Sequence, residues 1–267
     1  MKRVDLARSG FSIWYEEAGD GPPLILLHGF LCDSRCWRSQ LQGLSSQFRV
    51  VAWDAPGAGM SADPPEPFVM ADWARILAEF FDALKIDRGC LLGLSWGGVL
   101  AQEFYRAHAS RILALLLADT YAGWKGSLAP PAVEQRLARC LHDSSLPPDE
   151  FVPRWVPEMF TRAVSTSVIE EMSTIMSAFH PLGFRLMATT LAETDTTPLL
   201  PSITVPTLVL CGDDDQRSPL HIAKQLHAKI PRAEFAVVDH AGHLSNMEQP
   251  DAFNEHVRRF CSPACIG

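Results

Sequence analysis

The sequence predicts an α/β fold in which a mostly parallel sheet is covered on both faces by helices. Three observations carry this. Short apolar runs alternate along the chain with segments of helical periodicity, the pattern of right-handed βαβ units. Several of the apolar runs end in glycine, as strands closed by a turn do. The 267 residues suffice for one large domain with a full core.

FSIWYEE at 11–17 alternates as a strand, and PLILLHG at 23–29 is a short apolar run closed by glycine. These two lie too close for a crossover helix, which predicts an antiparallel edge there. CWRSQLQGLSSQ has helical spacing, and FRVVAWD at 48–54 is a further strand. From residue 70, MADWARILAEFFDALKI sets Trp73, Leu77, Phe80, Phe81 and Leu84 on one helical face. Strand CLLGL, helix WGGVLAQEFYRAHA and strand RILALLLAD follow. After Asp119 the alternation stops. Between 121 and about 200, Pro130, Pro131, Pro147, Pro148, Pro153, Pro157, Pro181 and Pro198 separate short runs rich in Met, Phe and Trp, which predicts an inserted cluster of short helices. Order resumes with TVPTLVLCG at 204–212, helix SPLHIAKQLHAKI, strand AEFAVVD and a last helix over 249–260.

Composition narrows the function. Hydrophobic residues make up 47% and charged residues 20%, with mean hydropathy near zero, the profile of a soluble globular protein. A net charge of -8 argues against nucleic acid as a partner. MKRVDLARSGF scatters charges where a secretory leader needs an apolar stretch. ILALLLA at 112–118 is far short of the roughly 20 residues that span a bilayer. Seven cysteines, odd in number and scattered, predict free thiols and a cytoplasmic location. Cys32 with Cys36 and Cys261 with Cys265 have i, i+4 spacing but no further ligand at zinc spacing, so no metal is expected.

The stretch GLSWGG at 93–98 carries the chemistry. GxSxG between a strand and a helix forces the serine into a strained turn, with small neighbours letting backbone pass close. Such a turn lifts Ser95 Oγ clear of the sheet and puts the Trp96 N–H at a helix N-terminus, where negative charge is favoured. A serine hydroxyl is a poor nucleophile until a base removes its proton, so a histidine and an acid must come from elsewhere in the chain.

HGF at 28–30, DAPGAGMS at 54–61, GLSWGG at 93–98, GDDD at 212–215 and AGH at 241–243 resemble, in that order, the signature of an α/β-hydrolase. The resemblance implies an eight-stranded, mostly parallel sheet with a helical lid inserted after strand 6. It divides the chain into a core domain of 1–120 and 200–267 and a lid of 121–199. It assigns Ser95 as nucleophile and His243 as general base, ahead of His240. Asp215 becomes the acid, ahead of Asp213 and Asp214 as turn or cap residues, with Asp119 an alternative placement for this fold. It supplies oxyanion donors from the backbone of Phe30 and Trp96. His28 reads as a structural hydrogen-bonder, and His221, His227 and His256 as helix-face residues.

The reaction implied is acyl transfer in two steps, with neither metal nor organic cofactor and with water and a small ester or lactone as reactants. Serine at this position sets the chain apart from the similar haloalkane dehalogenases and epoxide hydrolases, which use aspartate, and from dienelactone hydrolases, which use cysteine. The chain is most similar to the carboxylesterase and 3-oxoadipate enol-lactonase branch. Carbon–carbon hydrolysis of a vinylogous diketone, acyl transfer to an alcohol or amine, and a slow-turnover ligand receptor are the alternatives. Trp124, Trp155, Met159 and Phe179 of the insert are candidate substrate contacts, and core packing accounts for each equally well. No arginine cluster for a dicarboxylate stands out, although Arg35, Arg154, Arg162 and Arg185 are available.

Overall fold

The computed structural model describes the backbone of residues 1–266 and the side chains of 1–262. Its strands are β1 (Lys2–Asp5), β2 (Ser12–Ala18), β3 (Pro23–Leu27), β4 (Arg49–Trp53), β5 (Gly89–Leu94), β6 (Ile112–Ala118), β7 (Thr207–Gly212) and β8 (Glu234–Val238). They form one eight-stranded sheet in the order β1-β2-β4-β3-β5-β6-β7-β8. From β4 to β8 every neighbouring pair is parallel, while β2 joins β4, and β1 joins β2, antiparallel.

The antiparallel edge is where the sequence places it, but its pairing differs. The strands at 11–17 and 23–29 are not neighbours, because β4 lies between them and pairs with both. Helix α1 (Arg38–Leu44) provides the crossover from β3 to β4, which leaves the far edge of β4 open to β2. Strand β1 escapes the periodicity reading because KRVD is short, polar and largely exposed.

Helices α2 (Met70–Ala83) and α3 (Trp96–His108) pack on each other, and α1 packs on the last helix, described below. Trp73, Leu77, Phe80 and Phe81 of α2 are fully buried, as their shared face requires. Between β6 and β7 run α4 (Gly123–Ser127), α5 (Pro130–Asp143), α6 (Pro148–Trp155), α7 (Thr166–Ser177) and α8 (Pro181–Glu193). Here the prolines do more than break helices. Pro130, Pro148 and Pro181 each open one, where the missing N–H costs nothing and φ is already helical. Helices α9 (Leu220–Lys229), α10 (Ser245–Glu248) and α11 (Pro250–Ile266) complete the chain. Among the described residues no helix is long and apolar enough to cross a membrane.

The cysteines depart from the expectation of free thiols throughout. Cys32, Cys36, Cys140, Cys211 and Cys261 are free and buried, whereas Cys90 is disulfide-bonded. The side chain of Cys265 lies outside the described residues.

Parallel registers align the strand ends: Leu27 faces Gly93, Leu94 faces Ala118, and Gly212 faces Val238. The loops that follow β3, β5, β6, β7 and β8 therefore gather at one edge of the sheet, where open α/β sheets place their ligands.

Candidate active site

Ser95 joins β5 to α3 at φ 53° and ψ -115°, a region that side-chain-bearing residues rarely occupy. The glycines around it are required by contact. A Cβ on Gly93 would stand 2.2 Å from the Gly97 carbonyl oxygen, and one on Gly97 would stand 2.3 Å from that of Leu27. Three backbone segments thus pass at the closest approach they can make. The Ser95 N–H donates to Ala118 O at 2.9 Å, and Thr120 Oγ1 donates to Ser95 O at 2.6 Å, which fixes the turn to the end of β6.

The loop after β8 brings His243 to this turn. Its Nε2 lies 2.8 Å from Ser95 Oγ, and its Nδ1 lies 2.9 Å from Asp215 Oδ2 and 3.1 Å from Oδ1. All three side chains are buried. With Nδ1–H donating to the carboxylate, Nε2 is left as an acceptor for the serine proton. Asp215 Oδ1 also accepts the N–H groups of Arg217 at 2.8 Å and Ser218 at 2.9 Å. Burial pushes the Asp215 carboxyl up, but the His243 charge, its hydrogen bond and the two backbone donors together hold it below the usual carboxylate value.

Asp119 is spent elsewhere. Its Oδ1 accepts Gly212 N–H at 2.8 Å and its Oδ2 accepts the Ser245 hydroxyl at 2.5 Å, so it ties β7 to the histidine loop without touching His243. Burial and the neighbouring Asp215 charge push its carboxyl well above the ordinary range. Asp213 accepts Ala241 N–H at 3.1 Å, and Asp214 is exposed and accepts from Gln216 Nε2. Asp119, Cys211 and Asp215 do bring ligand atoms within 4.8 Å of one another. Both carboxylates there are already engaged by backbone and side-chain donors.

His28 is a structural hydrogen-bonder. It is wholly buried, its Nε2 accepts Ala55 N–H at 3.1 Å, and its Nδ1–H donates to Gly29 O at 2.9 Å. Burial lowers its pKa, which keeps the ring neutral, as that pair of contacts requires. Asp54 steadies the same region by accepting Ser34 N–H at 2.8 Å and Met60 N–H at 2.9 Å. Among the described residues the Phe30 N–H donates no hydrogen bond, and the Trp96 N–H opens α3, where no intrahelical acceptor exists. Gly29, Phe30, Ser95 and His243 line one small cavity of about 10 Å³, no more than a single water requires.

Residues of the helical segment between β6 and β7 contribute to the lining of that cavity. Trp124 and Met159, two of the four insert residues named from the sequence, line it. Leu244 N–H donates to Met159 O at 3.2 Å, and Glu248 accepts the N–H of Gly242 at 2.8 Å together with both donors of Thr161, so the insert is stitched to the histidine loop. Trp155 and Phe179 pack instead behind the Phe30 ring, with centroids 5.9 Å and 6.5 Å from it. Sequence reasoning missed Tyr121 and Arg217, which also line the cavity. The Tyr121 hydroxyl accepts Trp124 Nε1–H at 3.0 Å, so its own proton is free to turn toward Ser95. Position gave a usable signal for both, since each lies two residues beyond an aspartate in the loop after its strand.

An eight-stranded, mostly parallel sheet with a serine, a histidine and an aspartate linked in series at its loop edge is the form of an α/β hydrolase. The chain belongs to the Alpha/beta hydrolase family, whose model matches residues 24–256. It is similar to a candidate carbamate hydrolase of Azorhizobium caulinodans, 28% identical over 257 residues that cover 93% of this chain and 94% of the relative. To 3-oxoadipate enol-lactonase 2 of Acinetobacter baylyi it is 26% identical over 240 residues, 89% of this chain and 88% of the relative. Among solved structures, a thermophilic esterase from Thermogutta terrifontis superposes with a TM-score of 0.92 at 31% identity, covering 99% of this chain and all of the other.

Proposed function

We propose that this protein is a serine hydrolase that cleaves a small carboxylic ester or lactone through an acyl-enzyme intermediate. One observation carries the proposal: Ser95 Oγ sits 2.8 Å from His243 Nε2 while Asp215 holds the opposite nitrogen. In the first step Ser95 Oγ attacks the carbonyl carbon and His243 Nε2 takes its proton. The same proton then goes to the leaving alkoxide as the acyl–oxygen bond breaks. In the second, His243 draws a proton from water, which attacks the acyl carbonyl, and returns it to Ser95 as the acid departs. The backbone N–H groups of Phe30 and Trp96 receive the oxyanion, each worth about 3 kcal/mol in the transition state. Asp215 stabilises the imidazolium formed at each attack.

On this reading residues 121–199 act as a cap on a core of 1–120 and 200–267, with Trp124 and Met159 against the acyl group. The similarity to an esterase and an enol-lactonase supports this reaction class. The test is Ser95→Ala assayed on 4-nitrophenyl acetate. Turnover should fall at least about a thousandfold and fluorophosphonate labelling should vanish, with the circular dichroism spectrum unchanged. Retention of near-full activity would remove Ser95 from the reaction.

A further inference from the structure

Beside the serine cavity lies a second one of about 340 Å³, lined among others by Arg136, Arg139, Trp155, Glu158 and Arg217. Arg217 lines both. The cations are held in place before any ligand arrives. The guanidinium carbons of Arg139 and Arg217 stand 4.4 Å and 4.6 Å from the centroid of the Trp155 ring, and Arg136 lies over Trp124, itself a wall of the serine cavity. Arg136 also donates to the Arg217 carbonyl through both terminal nitrogens at 3.2 Å.

Negative charge in this cavity is scarce. Glu158 is the acid of its lining and is shared between Arg139 at 2.9 Å and Arg217 at 3.0 Å. Asp143 nearby is buried, accepts Trp155 Nε1–H at 2.7 Å and Arg154 at 3.0 Å, and stands 3.5 Å from Arg139 Nε. Three guanidiniums therefore line the cavity with Glu158 as the one carboxylate of its lining, while Asp143 behind it also pairs with Arg139. The sequence reading that no arginine cluster stands out is corrected here. Arg136 and Arg139 share a face of α5, Arg217 follows β7, and only the folded chain joins them. Of the arginines named from sequence, Arg35 pairs with Asp33, Arg154 with Asp143 and Arg185 with Glu66.

We propose that the substrate carries a second, anionic end, a carboxylate that binds Arg217 with Arg136 and Arg139 in the outer cavity while its ester or lactone carbonyl reaches Ser95. Arg217 stands on the line between the two spaces. A guanidinium there binds a planar carboxylate bidentately, and its present partner Glu158 is 40% exposed, able to give way to a ligand. The site thus selects half-esters and lactone acids over neutral esters of equal length.

This inference rests on the hydrolase reading, and a matched substrate pair separates the two. Monoethyl adipate and ethyl hexanoate have acyl chains of the same length and differ by the terminal carboxylate. With turnover followed by pH-stat, the wild type should favour monoethyl adipate in kcat/KM. The anionic-to-neutral ratio should fall about ten- to a hundredfold in Arg217→Gln, the loss that goes with one charge-assisted hydrogen bond. It should rise in Glu158→Gln, which removes the competing carboxylate, and decline with added salt. Equal cleavage of both esters by the wild type, or an equal loss on both in Arg217→Gln, would overturn the inference and leave the arginines as packing for Trp155. If neither ester is cleaved, adipate binding to the Ser95→Ala protein decides, read by tryptophan fluorescence and compared with its Arg217→Gln double variant. Binding that needs Arg217 keeps the anion site while the hydrolase reading falls, and no binding ends the inference.

Discussion

Ser95 holds a backbone conformation that most residues avoid, and the surrounding contacts pay for it. A left-handed or neighbouring φ costs a residue with a Cβ on the order of 1–3 kcal/mol, and glycine far less. Ser95→Gly should therefore melt a few degrees above Ser95→Ala, a difference of about 1 kcal/mol for a chain of this size. Equal melting temperatures would mean that the turn carries no strain. At Asp215 the sign of the pH effect is set by its lowered pKa. Its charged form is favoured by folding, so the contribution is fully present above the ordinary carboxylate value of about 3.9 and is lost as pH falls through the lower folded value. The gap in melting temperature between wild type and Asp215→Asn should shrink as the pH falls below about 4. The same substitution should cut turnover by about 10⁴-fold, as loss of the tautomer-setting carboxylate does elsewhere. Asp119→Asn should leave turnover within about tenfold, since its hydrogen bonds run to Gly212 and Ser245 and its role is to join loops. A collapse in Asp119→Asn comparable to that in Asp215→Asn would contradict that division.

The elements that position these side chains depend on backbone contact more than on side-chain fit. β5 and α3 meet so closely that Gly93→Ala would press a methyl to 2.2 Å from the Gly97 carbonyl. We expect a loss of about 3 kcal/mol, near the upper end for overpacking, measurable by chemical denaturation. This part of the site was legible in the sequence, because a strand, a GxSxG turn and a helix are local and each has its own periodicity. The partners of Ser95 were legible only through the order of motifs along the chain. Nothing local distinguishes Asp215 from Asp213 and Asp214; the assignment needs Arg217 and Ser218 to turn their N–H groups inward. Strand β1 and the β2–β4 pairing were hidden for a related reason, since KRVD has no apolar face and pairing order is a property of the whole sheet. In the insert, aromatic residues look alike as a string. Trp124 and Met159 reach the serine cavity while Trp155 and Phe179 stand behind Phe30, a distinction that arises from how α4 to α8 stack. Glu248 is the link between that stack and the histidine loop. Glu248→Ala should lower turnover about tenfold with little change in Ser95 alignment, and unaltered kinetics would show that the link is dispensable.

At the scale of the whole molecule, an eight-stranded sheet collects residues separated by 148 positions into one hydrogen-bonded series, beside which Trp124 and Met159 wall the cavity. The room left above Ser95, about 10 Å³, is smaller than any acyl group. Entry must therefore displace a wall residue before any bond is made, and Met159, with its unbranched side chain, is the one best suited to move. Gating of this kind limits how fast a reagent is captured, whatever its intrinsic reactivity. Inactivation by a bulky fluorophosphonate should then approach a plateau as its concentration rises, and solvent viscosity should lower that plateau. A serine shut away from all but water is also kept from stray electrophiles, open only to molecules with enough binding energy to part its walls.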